Sequence, residues 1–160
     1  MPTIDIRLAT PADEEIVVEF NCRLADESEN KQLDRPTVQL GVRAILTNSR
    51  HGRYFLASVG DQVVGQMMHT FEWSDWRNGE IWWLQSVYVH ADFRRQGVFR
   101  SLLQHLQAEA ASAPNVAGLR LYVEEHNTSA QATYEQLGLK LAGYVVMESL
   151  KLAGIHDLPS

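Results

Sequence analysis

The chain has 160 residues, 45% hydrophobic and 21% charged, enough for one core and too few for two, so a single domain over 1–160 is expected. Its formal net charge of −6 argues against nonspecific nucleic-acid binding and mildly suits a cationic partner. A lone cysteine, Cys22, excludes an internal disulfide. No apolar run nears the roughly 20 residues that span a bilayer, and the opening MPTIDIRLAT lacks a basic-then-apolar signal layout. A cytoplasmic protein with no membrane partner is expected.

In chain order, residues 4–8 alternate as a short strand. Thr10, Pro11 and Asp13 then mark a helix start with a cap, a proline and an acid at capping-box spacing. Ile16, Val17, Phe20 and Leu24 give that helix its apolar face, and it frays into the polar run 26–32. A second helix is predicted over 34–46, with Val38, Val42 and Ile45 inward. Strands over 54–59 and 62–70 meet at Gly60-Asp61, a hairpin signal. After a turn over 73–79, a tryptophan-rich strand covers 80–89. A helix runs from Gly97 to about Pro114, then come a strand over 119–123, a helix over 128–137 stopped by Gly138, and a last strand over 144–150. The order β-α-α-β-β-β-α-β-α-β specifies an α/β protein with one mixed sheet.

Residues 87–103, VYVHADFRRQGVFRSLL, are the most informative stretch. An apolar strand breaks at His90-Ala91-Asp92, turns basic at Arg94-Arg95, passes Gly97 and becomes a helix with Val98, Phe99, Leu102, Leu103 and Leu106 on one face. The first amides of a helix lack intrahelical partners and carry the positive end of its dipole. A glycine lets another group approach them closely. The stretch reads as an anion site, suited to a pyrophosphate, against the plainer alternative of a basic helix start that merely keeps a surface soluble. Neither GxGxxG nor GxxxxGK[ST] is present.

Three features together resemble the GCN5-related N-acetyltransferases (GNAT) over essentially the whole chain. Arg94-Arg95-Gln96-Gly97-Val98-Phe99 is similar to the family's [QR]xxGx[GA] acetyl-CoA loop. Leu121-Tyr122-Val123, then Asn127, Ala130 and Tyr134-Glu135-Gln136-Leu137-Gly138, is similar to its strand, Asn, Ala, Tyr-Glu-x-x-Gly run. The order of elements matches as well. Phe99 stands where Gly or Ala is usual, and Leu139 follows Gly138 where an aromatic is common.

The resemblance implies transfer of acetyl from acetyl-CoA to a primary amine by direct attack in a ternary complex, with CoA as product. The acceptor would be a small molecule, with a protein N-terminus or lysine, or a non-catalytic acyl-CoA-binding module, as alternatives; a homodimer is also admitted. In that setting Arg94, Arg95, Gln96, Gly97, Val98, Phe99 and Arg100 would meet the phosphates. The strand end Val87, Tyr88 and Val89 would pair with pantetheine and offer an N–H to the oxyanion. Asn127 and Ala130 would touch the cofactor, and Tyr134 would protonate the leaving thiolate. Asn127 also reads as a helix cap, and Thr128-x-x-Gln131 as a capping box.

The amine must arrive neutral, which for a lysine-like group costs on the order of 4 kcal/mol at pH 7. The base is open. A weaker likeness to diamine acetyltransferases runs through residues 71–76, but Gln85-Ser86 replaces the acidic pair of that subfamily. Glu72, Glu80 and Glu124 remain as candidates, with Asp26, Glu27 and Glu29 on the acceptor side. Trp82 and Trp83 face opposite sides of their strand, one for the core and one for a pocket wall. The six histidines, His90 and His126 among them, show neither HxxxH nor HExxH, so no metal is expected.

Overall fold

The structure is a computed structural model that describes residues 1–150. The chain forms two units, Met1–Glu124 and Glu125–Ser160.

The first unit is built on a five-stranded sheet in the order β1-β2-β3-β4-β5. Its strands are β1 (Asp5–Leu8), β2 (Arg53–Val59), β3 (Gln62–Ser74), β4 (Gly79–Val89) and β5 (Val116–Leu121). The first three pairings are antiparallel and β4–β5 is parallel. Helices α1 (Glu14–Glu29) and α2 (Arg35–Thr47) lie between β1 and β2, and α3 (Val98–Ser112) between β4 and β5. Among the described residues no helix is long and apolar enough to cross a membrane.

The chemistry that starts each helix is visible. The Thr10 amide donates to Asp13 at 2.8 Å, and Arg7 grips the same carboxylate through two bonds of 2.8 Å. Those partners hold Asp13 down at about 2. A 3-10 turn, Pro11–Asp13, therefore precedes α1. Asp34 caps α2 by accepting from the Thr37 amide at 3.1 Å. Asn30, left-handed at φ 52°, ends α1.

The sheet is covered on both faces. Val17 and Val18 of α1 and Val42 of α2 pack with Tyr54, Leu56 and Met68. The opposite face takes α3, which buries Val98, Leu102, Leu103 and Leu106. A Cβ on Gly65 would stand 2.8 Å from a Val98 methyl, so α3 lies close against β3 only because that residue has no side chain.

The alternation of β4 changes partway along. Trp82 stacks on His69, which shares its face with the α3-side residue Phe55, whereas Tyr88 packs on Phe20 of α1. Both are even-numbered, so an extra residue must intervene. It lies where the register jumps from Met68↔Gln85 to Gln66↔Tyr88, at Ser86, whose φ is +49°. This β-bulge re-aims the strand end.

In the second unit α4 covers Thr128–Gln136. Asn127 is its cap, accepting from the Ala130 amide at 3.1 Å. The capping box expected from Thr128 and Gln131 is not the arrangement formed: Gln131 donates instead to the Glu125 carbonyl at 2.9 Å. Two further expectations are corrected. The strand placed at 119–123 runs from Val116 to Leu121, because its ladder begins at Glu80↔Val116 and Ala117 and Gly118 hide a strand from propensity alone. The last strand, expected over 144–150, forms no ladder among the described residues. Tyr144, Val145, Val146 and Met147 are exposed there; a β-prone run becomes a strand only when an edge pairs with it.

Candidate functional site

The expected passage from strand through a tight turn to helix is formed within the first unit. The β4–β5 ladder ends at Leu84↔Leu121, so residues 85–89 extend past β5 along one edge. On the other edge Tyr88 and Val89 still pair with Gln66 and Gly65. Val87, Tyr88 and Val89 thus offer the one-sided backbone that an amide-bearing ligand can join. Gln85 is turned to β3, donating to the Thr70 hydroxyl at 2.8 Å.

The turn that follows is pinned at both ends. The His90 amide donates to the Val64 carbonyl at 2.8 Å, and the Phe93 amide to His90 at 2.9 Å. The Gln96 side chain closes the loop on the Asp92 carbonyl at 2.9 Å. Arg95 and Gly97 take left-handed conformations, at φ 62° and 85°. Gly97 is the N-cap of α3 and has no side chain of its own to bond the helix, and among the described residues a Cβ built on it would meet nothing within 4 Å. The space beside Gly97 is thus clear of the described residues, which leaves room for an anion near the first amides of α3. Val98 is buried, Phe99 half-buried and Arg100 exposed.

The two arginines differ. Arg94 donates to the Val89 carbonyl at 3.0 Å, pairs with Glu27 of α1 and lies over the Tyr88 ring at 5.7 Å. Tyr88 donates to the other oxygen of Glu27 at 2.9 Å. The Arg94 guanidinium, foremost, holds Glu27 below the usual carboxylate range, while burial, with Glu27 beside it, pushes the Tyr88 phenol up. Arg95 and Arg100 form no hydrogen bond or ion pair among the described residues.

A recess of about 420 Å³ opens between α1, α2 and the bulge, lined by Asn21, Leu24, Ser28, Glu29, Leu33 and Ser86 among others. Of the acids expected on this side, Glu29 lines it and pairs with Lys31 at 3.5 Å, Glu27 is taken by Arg94 and Tyr88, and Asp26 accepts from Gln32 at 2.7 Å. Trp83 is not part of the wall; it stacks on Tyr122 at 4.5 Å. Trp82 is the core tryptophan of the pair. Two of the candidate bases are engaged elsewhere: Glu72 pairs with Arg120 at 3.1 Å, and Glu80 accepts from the Trp82 indole at 3.1 Å. Glu124 ends the first unit.

The second unit carries Asn127, Ala130 and Tyr134 on α4 and its cap. Burial raises the Tyr134 phenol above its ordinary value, so the residue holds its proton through neutral pH. His126 lies 3.2 Å from Glu125, and in the first unit His90 accepts from the Asp92 amide at 3.3 Å; both support local loop structure.

Sequence reasoning missed the polar network under the bulge. Gln66 donates to Asn21 at 2.9 Å and to the Ser86 carbonyl at 3.0 Å, and Asn21 donates to the Tyr54 hydroxyl at 2.9 Å. The available signal was a glutamine inside the apolar run of β3, where nothing in the strand pattern calls for one.

Comparison with known proteins agrees with this geometry. The family described as "Acetyltransferase (GNAT) family" matches residues 18–139. A possible acetyltransferase from Clostridium difficile 630 is 43% identical, with TM-score 0.87 over 92% of this chain and 97% of that one. A protein from Clostridium acetobutylicum, described as a predicted acetyltransferase and solved with acetyl-CoA, is 18% identical, with TM-score 0.76 over 96% of this chain and 100% of its own; that likeness shows the fold. No curated protein matches the chain.

Proposed function

Because the chain belongs to the acetyltransferase (GNAT) family, we propose that it transfers acetyl from acetyl-CoA to the primary amine of a small molecule. The observation that carries this reading is the continuity of two open features. The one-edged strand end at 85–89 leads, within a single pinned turn, into the glycine-opened mouth of α3. Pantetheine amides suit the first and a pyrophosphate the second, so the residues fit the cofactor.

Acetyl-CoA supplies the acyl group already activated as a thioester. The chain's residues do the rest. The mouth of α3 and the unpartnered Arg95 and Arg100 would hold the phosphates. A strand-end N–H would meet the charge that develops on the carbonyl oxygen. The neutral amine would attack the thioester carbon, with CoA as the leaving thiol. Tyr134 would give the departing sulfur its proton, and the proton lost by the amine would leave through water. The recess offers Leu24, Leu33 and Val38 to an aliphatic body, and a cationic head would compete with Lys31 for the exposed Glu29, which supports a small amine entering beside Ser86.

The test is a thiol-release assay with acetyl-CoA against alkylamines, diamines, amino acids and peptide N-termini, beside calorimetric titration with acetyl-CoA. Saturable binding with turnover on small amines is expected. Turnover confined to peptides would make it a protein acetyltransferase. Binding with no turnover on any amine would make it an acyl-CoA-binding module.

A further inference from the structure

We infer that Gln66 is the positioning residue of the β4 bulge, fixing the Ser86–Val87 peptide so that the Val87 N–H points away from the sheet's polar network and toward its own task. The inference rests on the proposed transfer only for what that N–H does.

Gln66 is fully buried, yet it is a glutamine in a strand whose neighbours Val64, Met67 and Met68 are apolar and also buried. A methionine or leucine would fill the same volume without a polar group to satisfy. Both bonds of the amide come from its nitrogen, to Asn21 and to the Ser86 carbonyl, while Oε1 is buried with no partner. The fold therefore leaves an acceptor unsatisfied in order to keep a donor at Ser86.

The direction of the whole chain of bonds follows from that one contact. The Ser86 carbonyl can only accept, so the Gln66 nitrogen must face it. Asn21 must then turn its oxygen to Gln66 and its nitrogen to Tyr54, as found. One side chain from each of α1, β2 and β3 thus converges on the peptide that β4 bulges.

The consequence for Val87 is geometric. In a trans peptide the C=O and the following N–H point in opposite directions, and the structure has no cis bond among its described residues. Drawing the Ser86 oxygen to Gln66 aims the Val87 N–H the other way. Ser86 needs this help because a non-glycine residue at φ +49° adopts a conformation that sequence alone does not favour. Its peptide also sits in the gap of the β3–β4 register, where the regular ladder cannot hold it.

Gln66→Met keeps the bulk and removes the donor. Its amide exchange at residues 86–89, followed by mass spectrometry or NMR, is expected to quicken about tenfold or more, with exchange at Leu56 and Leu103 unchanged. With acetyl-CoA and n-butylamine its kcat is expected to fall about 10–100-fold, by a larger factor than the acetyl-CoA KM rises. Gln66→Glu, whose neutral acid can still donate to Ser86, is expected to regain activity as pH falls along a titration the unaltered protein lacks. Wild-type exchange at 86–89 in Gln66→Met, or a KM that rises in step with any loss of kcat, would overturn the inference. If Gln66→Met does not fold, Asn21→Leu replaces it, with a smaller quickening of exchange at the same residues as the supporting outcome and none as the opposing one. Absence of turnover in the unaltered protein would remove the transfer reading alone, since local exchange still decides whether Gln66 holds the bulge.

Discussion

The Glu27 carboxylate on α1 holds the Arg94 guanidinium of the turn between β4 and α3 across a separation of 67 residues. The same carboxylate accepts from Tyr88 on β4, and Arg94 itself caps the strand by donating to the Val89 carbonyl. One acid thus ties the end of the acceptor-side helix to both halves of the proposed cofactor site. It also withholds one of two adjacent arginines from any phosphate.

Releasing that arginine is a direct test. Glu27→Gln keeps an acceptor for Tyr88 and removes the charge that binds Arg94. The pair is half exposed, so its loss is expected to cost less than about 1 kcal/mol of stability. Calorimetry should show acetyl-CoA bound up to about threefold more tightly, with a steeper salt dependence, as a further cation becomes available to phosphate. Because Arg94 depresses Glu27, the pair's contribution is complete above the ordinary carboxylate range and is lost as pH falls through the lowered value. Unchanged affinity and salt dependence would show that Arg94 cannot turn to the phosphates.

The cradle can be tested at Gly97. Among the described residues nothing lies within 4 Å of a Cβ built there, so a substitution at Gly97 adds a side chain at the N-cap of α3 without an immediate clash. Gly97→Glu is expected to weaken acetyl-CoA binding by about 100-fold or more, by placing a carboxylate where the helix dipole and amides would receive phosphate. Gly97→Ala separates backbone strain from charge. At φ +85° it should cost on the order of 1 kcal/mol in stability and weaken binding far less. Equal affinities for the unaltered protein and Gly97→Glu would remove the phosphate from this position.

Much of the local structure was legible in the sequence. In the first unit the turn from His90 to Gly97 announces itself by composition; in the second, Asn127 does so by its place before a helix. The Ser86 bulge was not legible, since nothing in Gln85-Ser86-Val87 marks a left-handed residue; the extra residue exists only relative to β3. Glu27 was expected to face an acceptor and was found on Arg94 and Tyr88, contacts that depend on how α1 crosses the sheet. Glu72 and Glu80, read as free carboxylates, are committed to partners on β5 and β4. The run at 144–150 shows the reverse error. Its apolar residues satisfy a strand pattern, yet strand formation needs an edge to pair with, which no local pattern contains.

His69 gives the first unit a predictable acid sensitivity. It is fully buried, stacked on Trp82 at 4.3 Å, and accepts from Arg53 Nε at 3.2 Å. Burial, with the Arg53 charge second, lowers its pKa from 6.5 to about 4. Between those values the unfolded chain takes up a proton that the folded chain does not. Stability from this residue is therefore complete above pH 6.5, falls as pH drops toward 4, and loses about 3 kcal/mol at most. Chemical denaturation across pH 4–7 would measure it. His69→Gln, which retains an acceptor for Arg53, should flatten that part of the curve; an unaltered slope would assign the sensitivity to other groups.

Tyr134 is the residue on which the proposed acid step depends. Burial raises its phenol, so it is protonated at neutral pH and loses its proton only above the ordinary tyrosine value near 10. Tyr134→Phe is expected to lower kcat about 10–100-fold while leaving the acetyl-CoA KM within about threefold, because the hydroxyl is needed as sulfur departs and not for binding. The rising limb from deprotonation of the amine is common to both proteins, so the ratio of their pH profiles isolates the tyrosine. That ratio should be constant through neutral pH and fall toward one as pH passes through the raised value, where the unaltered enzyme also lacks a proton to give. Equal turnover of the two proteins at neutral and alkaline pH would remove Tyr134 as the acid and return the leaving proton to solvent.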